Sequence, residues 1–262
     1  MDSWIRIRSN GVNAGPSTAA GRKLTRNLTR VRPLKLWRTS NCCTEASRRK
    51  CAAPIPTRRR PASKIFAGCS LCMSANSSLE AALATTVEEL DAASIPYMLI
   101  GGLALSAWAL PRATLDVDLT LWVAAEDRDR VCDFLSARYV ARVSDAREFI
   151  RKTGVLPATT REGVRLDFIF AAFPFERTMI ERAPVRHIGN VAVRVARLED
   201  LILLKLPSPR PRDQEDVHLI LSTYKNVLEW DYLLATADLL AETLDQPALA
   251  AKLRERQPPA NG

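Results

Sequence analysis

One stretch, Leu115 to Val123 (LDVDLTLWV), constrains this chain more than any other. Side chains alternate along an extended strand, so Leu115, Val117, Leu119, Leu121 and Val123 face one way and Asp116, Asp118 and Thr120 the other. The apolar side requires a core beneath it. The acidic side holds two carboxylates whose α-carbons lie about 6.5–7 Å apart, close enough to repel unless positive charge comes between them. A hard cation such as magnesium meets that need through oxygen ligands. Just upstream, Tyr97 to Ile100 is an apolar run of strand length, followed at once by Gly101 and Gly102. Glycine lets backbone approach a ligand closely, and a helix opening there presents unpartnered amides and a positive dipole end to a phosphate. Pro111 is expected to close that helix.

The rest of the sequence divides sharply by charge. Of 38 Lys and Arg, 16 fall in residues 1–72 beside only Asp2 and Glu45, a local charge of +14. The remaining 22 basic and 27 acidic residues leave residues 73–262 at −5. The first segment is rich in Arg, Ser, Thr and Pro, lacks hydrophobic periodicity and reads as disordered. Three explanations suit it: an upstream extension with Met73 as the true start, an organellar transit peptide, or a basic arm for nucleic acid. It also holds Cys42, Cys43, Cys51, Cys69 and Cys72, whose irregular spacing and lack of a nearby His fit unpaired thiols better than a zinc knot. Cys132 stands alone in the remainder, which suggests a reducing compartment.

Beyond Met73, Ser77-x-x-Glu80 has capping-box spacing, and Leu79, Leu83, Val87 and Leu90 share one face of the helix it would open. Glu126 to Arg138 reads as a second helix, Thr153 to Gly163 as a strand and turn, and Val164 to Phe170 as a strand. On that last strand Asp167 points opposite to Leu166, Phe168 and Phe170, which is consistent either with a solvated face or with a site. Pro174 to Arg182 reads as a short helix and Val191 to Val195 as a half-buried strand. Leu198 to Leu206 reads as a very apolar helix whose Lys205 must snorkel or find an anion. A helix containing Val217, Ile220, Leu221 and Tyr224 follows, where Arg212 and Asp216 have the spacing of an i,i+4 pair, and two more helices occupy Glu229 to Leu244 and Pro247 to Arg256.

Together, the hydrophobic strand, Gly101-Gly102 and Arg112-Ala-Thr114-Leu-Asp116-Val-Asp118-Leu resemble the signature of the nucleotidyltransferase superfamily with the DNA polymerase β fold. Lys205 followed by Arg212-Asp213-Gln-Glu-Asp216 resembles the later motif of its AbiEii-type toxin members, with Asp213 preferred to Asp216 as the motif acid. The proline-rich Pro207–Pro211 linker departs from that pattern. The resemblance implies an α+β fold: a small mixed β-sheet flanked by helices over residues 73–196, a helical C-terminal part over 197–256 and a tail at 257–262. It further implies Asp116, Asp118 and Asp167 as ligands of two magnesium ions, with Asp167 or hydroxide on the metal as base. Gly101, Gly102, Arg112, Thr114, Lys205 and Asp213 would serve the nucleotide. The reaction expected is transfer of an NMP group from an NTP to a hydroxyl of RNA, such as tRNA, or of protein, in a cytoplasmic toxin–antitoxin setting with a cognate antitoxin. A small-molecule, antibiotic-type acceptor and a non-enzymatic antitoxin with the same fold are the alternatives.

Other classes find no support. No apolar run reaches the length of a membrane span and the N-terminus lacks a signal-peptide core. Walker-type loops and serine-nucleophile motifs are missing, and His187 and His218 have no neighbours suited to a zinc site or a triad.

Overall fold

The computed structural model describes residues 70–110 and 112–258, with side chains from residue 78 onward. Residues 1–69, their cysteines and Pro111 lie outside the described residues, as do the side chains of Cys72 and Ser77. Helix α1 (Ser70–Ala92) begins ahead of both Met73 and Ser77, so the capping-box spacing does not mark its start. Its Leu79, Leu83, Val87 and Leu90 are buried, as the periodicity requires.

A five-stranded mixed sheet forms the centre, in the order β1-β2-β5-β4-β3. Strand β1 (Tyr97–Ile100) runs antiparallel to β2 (Asp116–Leu121), which runs parallel to β5 (Arg165–Phe170). Strand β4 (Val155–Thr159) pairs antiparallel with β5, and the two-residue β3 (Val140–Ala141) closes the edge. Val117, Leu119 and Leu121 of β2 and Leu166, Phe168 and Phe170 of β5 fill the core. Leu115 is 47% exposed because β2 starts one residue later than the alternation suggests.

Between β1 and β2 lies α2 (Gly101–Ala107), which ends at Trp108 and is followed by Ala109 at φ 60. After β2 the chain makes a 3-10 turn (Ala125–Asp127) and α3 (Arg128–Ser136), splitting what the sequence reads as one helix. Helix α4 (Ala146–Thr153) is absent from the sequence reading. The Asp145 carboxylate accepts from the Glu148 N–H at 2.8 Å at its start, and Gly154, at φ 68, ends it in the left-handed conformation glycine favours. Helix α5 (Pro174–Glu181) has proline at its first position, where no N–H is missed, and Glu176 accepts from the Ala172 and Phe173 amides.

The strand expected over Val191 to Val195 has a partner, so β6 (Val185–Ile188) and β7 (Val191–Arg194) form a hairpin. It attaches at the β1 edge, where Val195 bridges Leu99 and Ala196 N–H donates to the Leu99 carbonyl at 2.9 Å. Helix α6 (Leu198–Lys205) is buried at all eight positions, which explains its apolar sequence. It packs against α7 (Pro211–Tyr224) and α8 (Trp230–Thr243), and α9 (Ala248–Arg254) packs on α8. Among the described residues no helix is long and apolar enough to cross a membrane.

Arg182, just after α5, ties the sheet-bearing part to these helices. Its guanidinium lies 3.0 Å from Glu229 and 3.9 Å from both Glu199 and Asp200, and stacks 3.7 Å from the centre of the Tyr232 ring. Asp200 is fully buried; burial pushes its carboxyl up to about 6, against a hydrogen bond from the Tyr232 hydroxyl at 2.8 Å and the charge of Arg182. Removing one partner of a buried ionic group leaves the other uncompensated, at a cost of about 3–5 kcal/mol. Arg182→Ala should therefore lower stability by about that amount in urea titrations. A loss under about 1 kcal/mol would show that these charges are solvated in practice.

Candidate active site

The parallel register of β2 and β5 decides what the acidic strand faces. Asp118 lies directly opposite Asp167, and Asp116 directly opposite Arg165. Paired positions on adjacent strands carry their side chains on the same face, so one row juxtaposes two carboxylates and the other a carboxylate with a guanidinium. Burial, together with the nearby charges of Asp167 and Asp116, pushes the Asp118 carboxyl up to about 7, although Lys205 acts in the opposite direction. Burial likewise lifts Asp167 to about 6, against the lowering effect of Arg142.

Two arginines that the sequence reading overlooked attend the outer carboxylates. Arg142 donates to Asp167 at 2.9 Å, and Arg165 makes an ion pair with Asp116 at 2.6 Å. Arg165 was legible in principle, since it precedes Asp167 by two and must share its face. Arg142 follows a two-residue strand too short to leave a periodic signal. Among the described residues no ion pair reaches Asp118, and no group of three or more His, Cys, Asp or Glu side chains stands together as a metal-holding set. Asp118 and Asp167 are brought face to face, while Asp116 is engaged by its arginine.

The glycines have a steric reason as well as an electrostatic one. Gly101 sits at φ 71, and a Cβ there would lie 2.0 Å from Oδ2 of Asp118. A Cβ on Gly102 would lie 2.7 Å from Cβ of Thr114. The pair thus lets the start of α2 lie against the acidic strand. Thr114 folds its hydroxyl back on the backbone of Asp116, at 3.3 Å from the Asp116 nitrogen.

Lys205 finds anions rather than snorkelling. Its Nζ is 3.0 Å from Asp213 and 2.8 Å from Asp216, and all three residues are buried. Both acids of the motif therefore hold the lysine. Burial works against the Asp213 carboxylate, yet Lys205 and hydrogen bonds from Ser208, Lys205 and Arg210 hold it below its ordinary value. Arg112 pairs with Asp216 at 3.2 Å, whereas Arg212 donates to the Ala113 carbonyl at 2.9 Å and does not form the i,i+4 pair its spacing suggested. Arg112 and Asp216 line a groove of about 660 Å³ with Pro211, Gln214, Glu215, His218 and Leu219.

The family to which the sequence belongs makes the protein an enzyme of the nucleotidyltransferase type. The profile of the family described as nucleotidyl transferase AbiEii toxin, type IV toxin–antitoxin system, matches residues 86–260, and the chain belongs to that family. No curated protein sequence matches it. Similar solved structures include an antigenic nucleotidyltransferase-like protein from Paracoccidioides brasiliensis, 18% identical with a TM-score of 0.38, covering 66% of this chain and 92% of that one. ANT(2")-Ia in complex with adenylyl-2"-tobramycin is 19% identical with a TM-score of 0.37, over 65% and 93% of the two chains. JHP933 from Helicobacter pylori is 18% identical with a TM-score of 0.37, over 69% and 94%.

Opposed carboxylates have a consequence for stability. The folded-state pKa of Asp118 lies above its unfolded value of about 3.8, so the stability linked to its proton is complete below about pH 4 and is lost as pH rises through about 7. Asp118→Asn removes the repulsion at nearly constant shape. In metal-free buffer at pH 8 it should raise the melting temperature by several degrees, equivalent to about 1 kcal/mol or more, and flatten the stability profile between pH 4 and 7. A lower melting temperature with an unchanged profile would show that the charge is already compensated.

Proposed function

We propose that this protein transfers an NMP group from an NTP to a hydroxyl of RNA, such as tRNA, or of protein, within a toxin–antitoxin pair whose cognate antitoxin is its partner. The observation that carries the reading is the Asp118–Asp167 opposition across two parallel strands. Such a placement is costly unless a cation joins it, and the lifted Asp118 carboxyl, with Gly101 leaving it room, makes the oxygen donors fit a hard divalent ion. Asp118 and Asp167, with Asp116 released from Arg165, would hold up to two Mg2+. When bound, these supply Lewis-acid stabilisation of the attacking and leaving oxygens.

The chain's own residues do the rest. The amides at Gly101 and Gly102 bind phosphate oxygens, with Thr114 beside them. Lys205, fixed by Asp213 and Asp216, sets a positive charge that acts on Asp118, and Arg112 adds another on the α7 side. The acceptor oxygen attacks the α-phosphorus and a new P–O bond forms. The bond to the bridging β-phosphate oxygen breaks, pyrophosphate leaves, and the hydroxyl proton passes to Asp167. The charge of −5 over residues 73–262 favours a second reading, in which the acceptor is a small molecule rather than a polyanion.

The test is incubation of the full chain with each α-32P-labelled NTP, Mg2+ and, separately, total tRNA, total protein or aminoglycosides. Label should pass to tRNA or protein, and Asp118→Asn should reduce transfer at least about 1,000-fold while remaining folded. Label on aminoglycoside alone would establish the second reading. Equal transfer by Asp118→Asn would rule out the carboxylate assignment.

A further inference from the structure

The two arginines at the acidic face have no part in the reaction just described, yet they determine the charge a ligand meets there. Arg142 is anchored through its backbone, its N–H donating to the Pro157 carbonyl at 2.8 Å, while its side chain is 34% exposed. Its partner Asp167 is only 6% exposed. The Arg165 side chain is 44% exposed over Asp116 at 35%. The Arg142 guanidinium thus covers Asp167 from the solvent side, while Arg165 pairs with a carboxylate that is itself part-exposed, and either side chain can leave its carboxylate without disturbing the core. Asp118, opposite Asp167 and two residues from Asp116 on the same face, has no such partner among the described residues.

We propose that Arg142 and Arg165 are exchangeable counter-ions: they neutralise Asp167 and Asp116 while the divalent cation is absent, and turn to the phosphate oxygens of the nucleotide once the cation has replaced them. The inference rests on the cation-site reading above and adds an order to it. A cation arriving alone must displace guanidinium from the carboxylates it needs. A nucleotide arriving alone meets arginines already occupied. Arriving together, each releases what the other requires, so cation and nucleotide bind with positive coupling, which thermodynamic linkage makes reciprocal. Guanidinium suits both duties, because its planar fork matches carboxylate and phosphate alike and it never loses its charge.

The test uses Mn2+ as a spectroscopic probe of the cation site. Its affinity for the full chain is read from the electron paramagnetic resonance of the free ion, in wild type, Arg142→Gln, Arg142→Lys, Arg165→Gln and Asp118→Asn. Without nucleotide, Arg142→Gln and Arg165→Gln should bind Mn2+ about tenfold more tightly than wild type, with Arg142→Lys close to wild type. With saturating Mn2+, both Gln variants should bind α,β-methylene NTPs about tenfold more weakly. Tightening of one ligand with weakening of the other is a pattern that structural damage does not produce. Unchanged or weaker Mn2+ binding in both folded Gln variants would overturn the exchange while leaving the cation site intact. Equal Mn2+ binding in all variants, Asp118→Asn included, would overturn the site itself and the exchange with it.

Discussion

The structure turns on a single unfavourable contact, the meeting of Asp118 and Asp167 at one register position of two parallel strands. Neither strand can slip to relieve it. A one-residue shift would bring Val117, Leu119, Leu166 and Phe168 out of the core, and all four are fully buried. The hydrophobic pattern thereby fixes the electrostatic strain. Gly101 at positive φ removes the one side-chain atom that would otherwise collide with Asp118, and the surrounding charges are arranged around the result.

A second layer of buried charge positions the first. The apolar helix α6 carries Lys205 at its last position, where its charge acts on Asp118, and α7 supplies Asp213 and Asp216 to hold it. At the opposite end of α6, Glu199 and Asp200 meet Arg182 and the Tyr232 hydroxyl. Both ends of one buried helix are therefore fixed by ionic contacts. Buried ion pairs offer little net stability but penalise misplacement strongly, which suits a helix that ends on a buried lysine.

Much of this was legible in the sequence because alternation and apolar runs report burial directly. The β1–α2–β2 unit, the inward face of β5, α5 and the buried α6 follow from such patterns, as does the family through the spacing of Gly101-Gly102, Asp116 and Asp118. Short elements escaped: β3 has two residues, β6 four and α4 eight, and Arg142 directly follows β3, where two residues leave no alternation to read. Partnership also escaped the sequence. Asp213 and Asp216 share Lys205 because a helix presents both acids to the end of α6, while Arg112, distant in sequence, takes the place that helical spacing suggested for Arg212.

The proposed chemistry depends on a cation held between Asp118 and Asp167. The most direct measurement is a crystal structure of the protein grown with Mn2+ and a non-hydrolysable NTP, with diffraction collected at the manganese absorption edge. An anomalous peak within bonding distance of oxygens of both Asp118 and Asp167 is expected, with the Arg142 guanidinium moved from Asp167 onto a phosphate. A nucleotide-bound structure with no anomalous peak between these carboxylates, and with Arg142 still on Asp167, would contradict it.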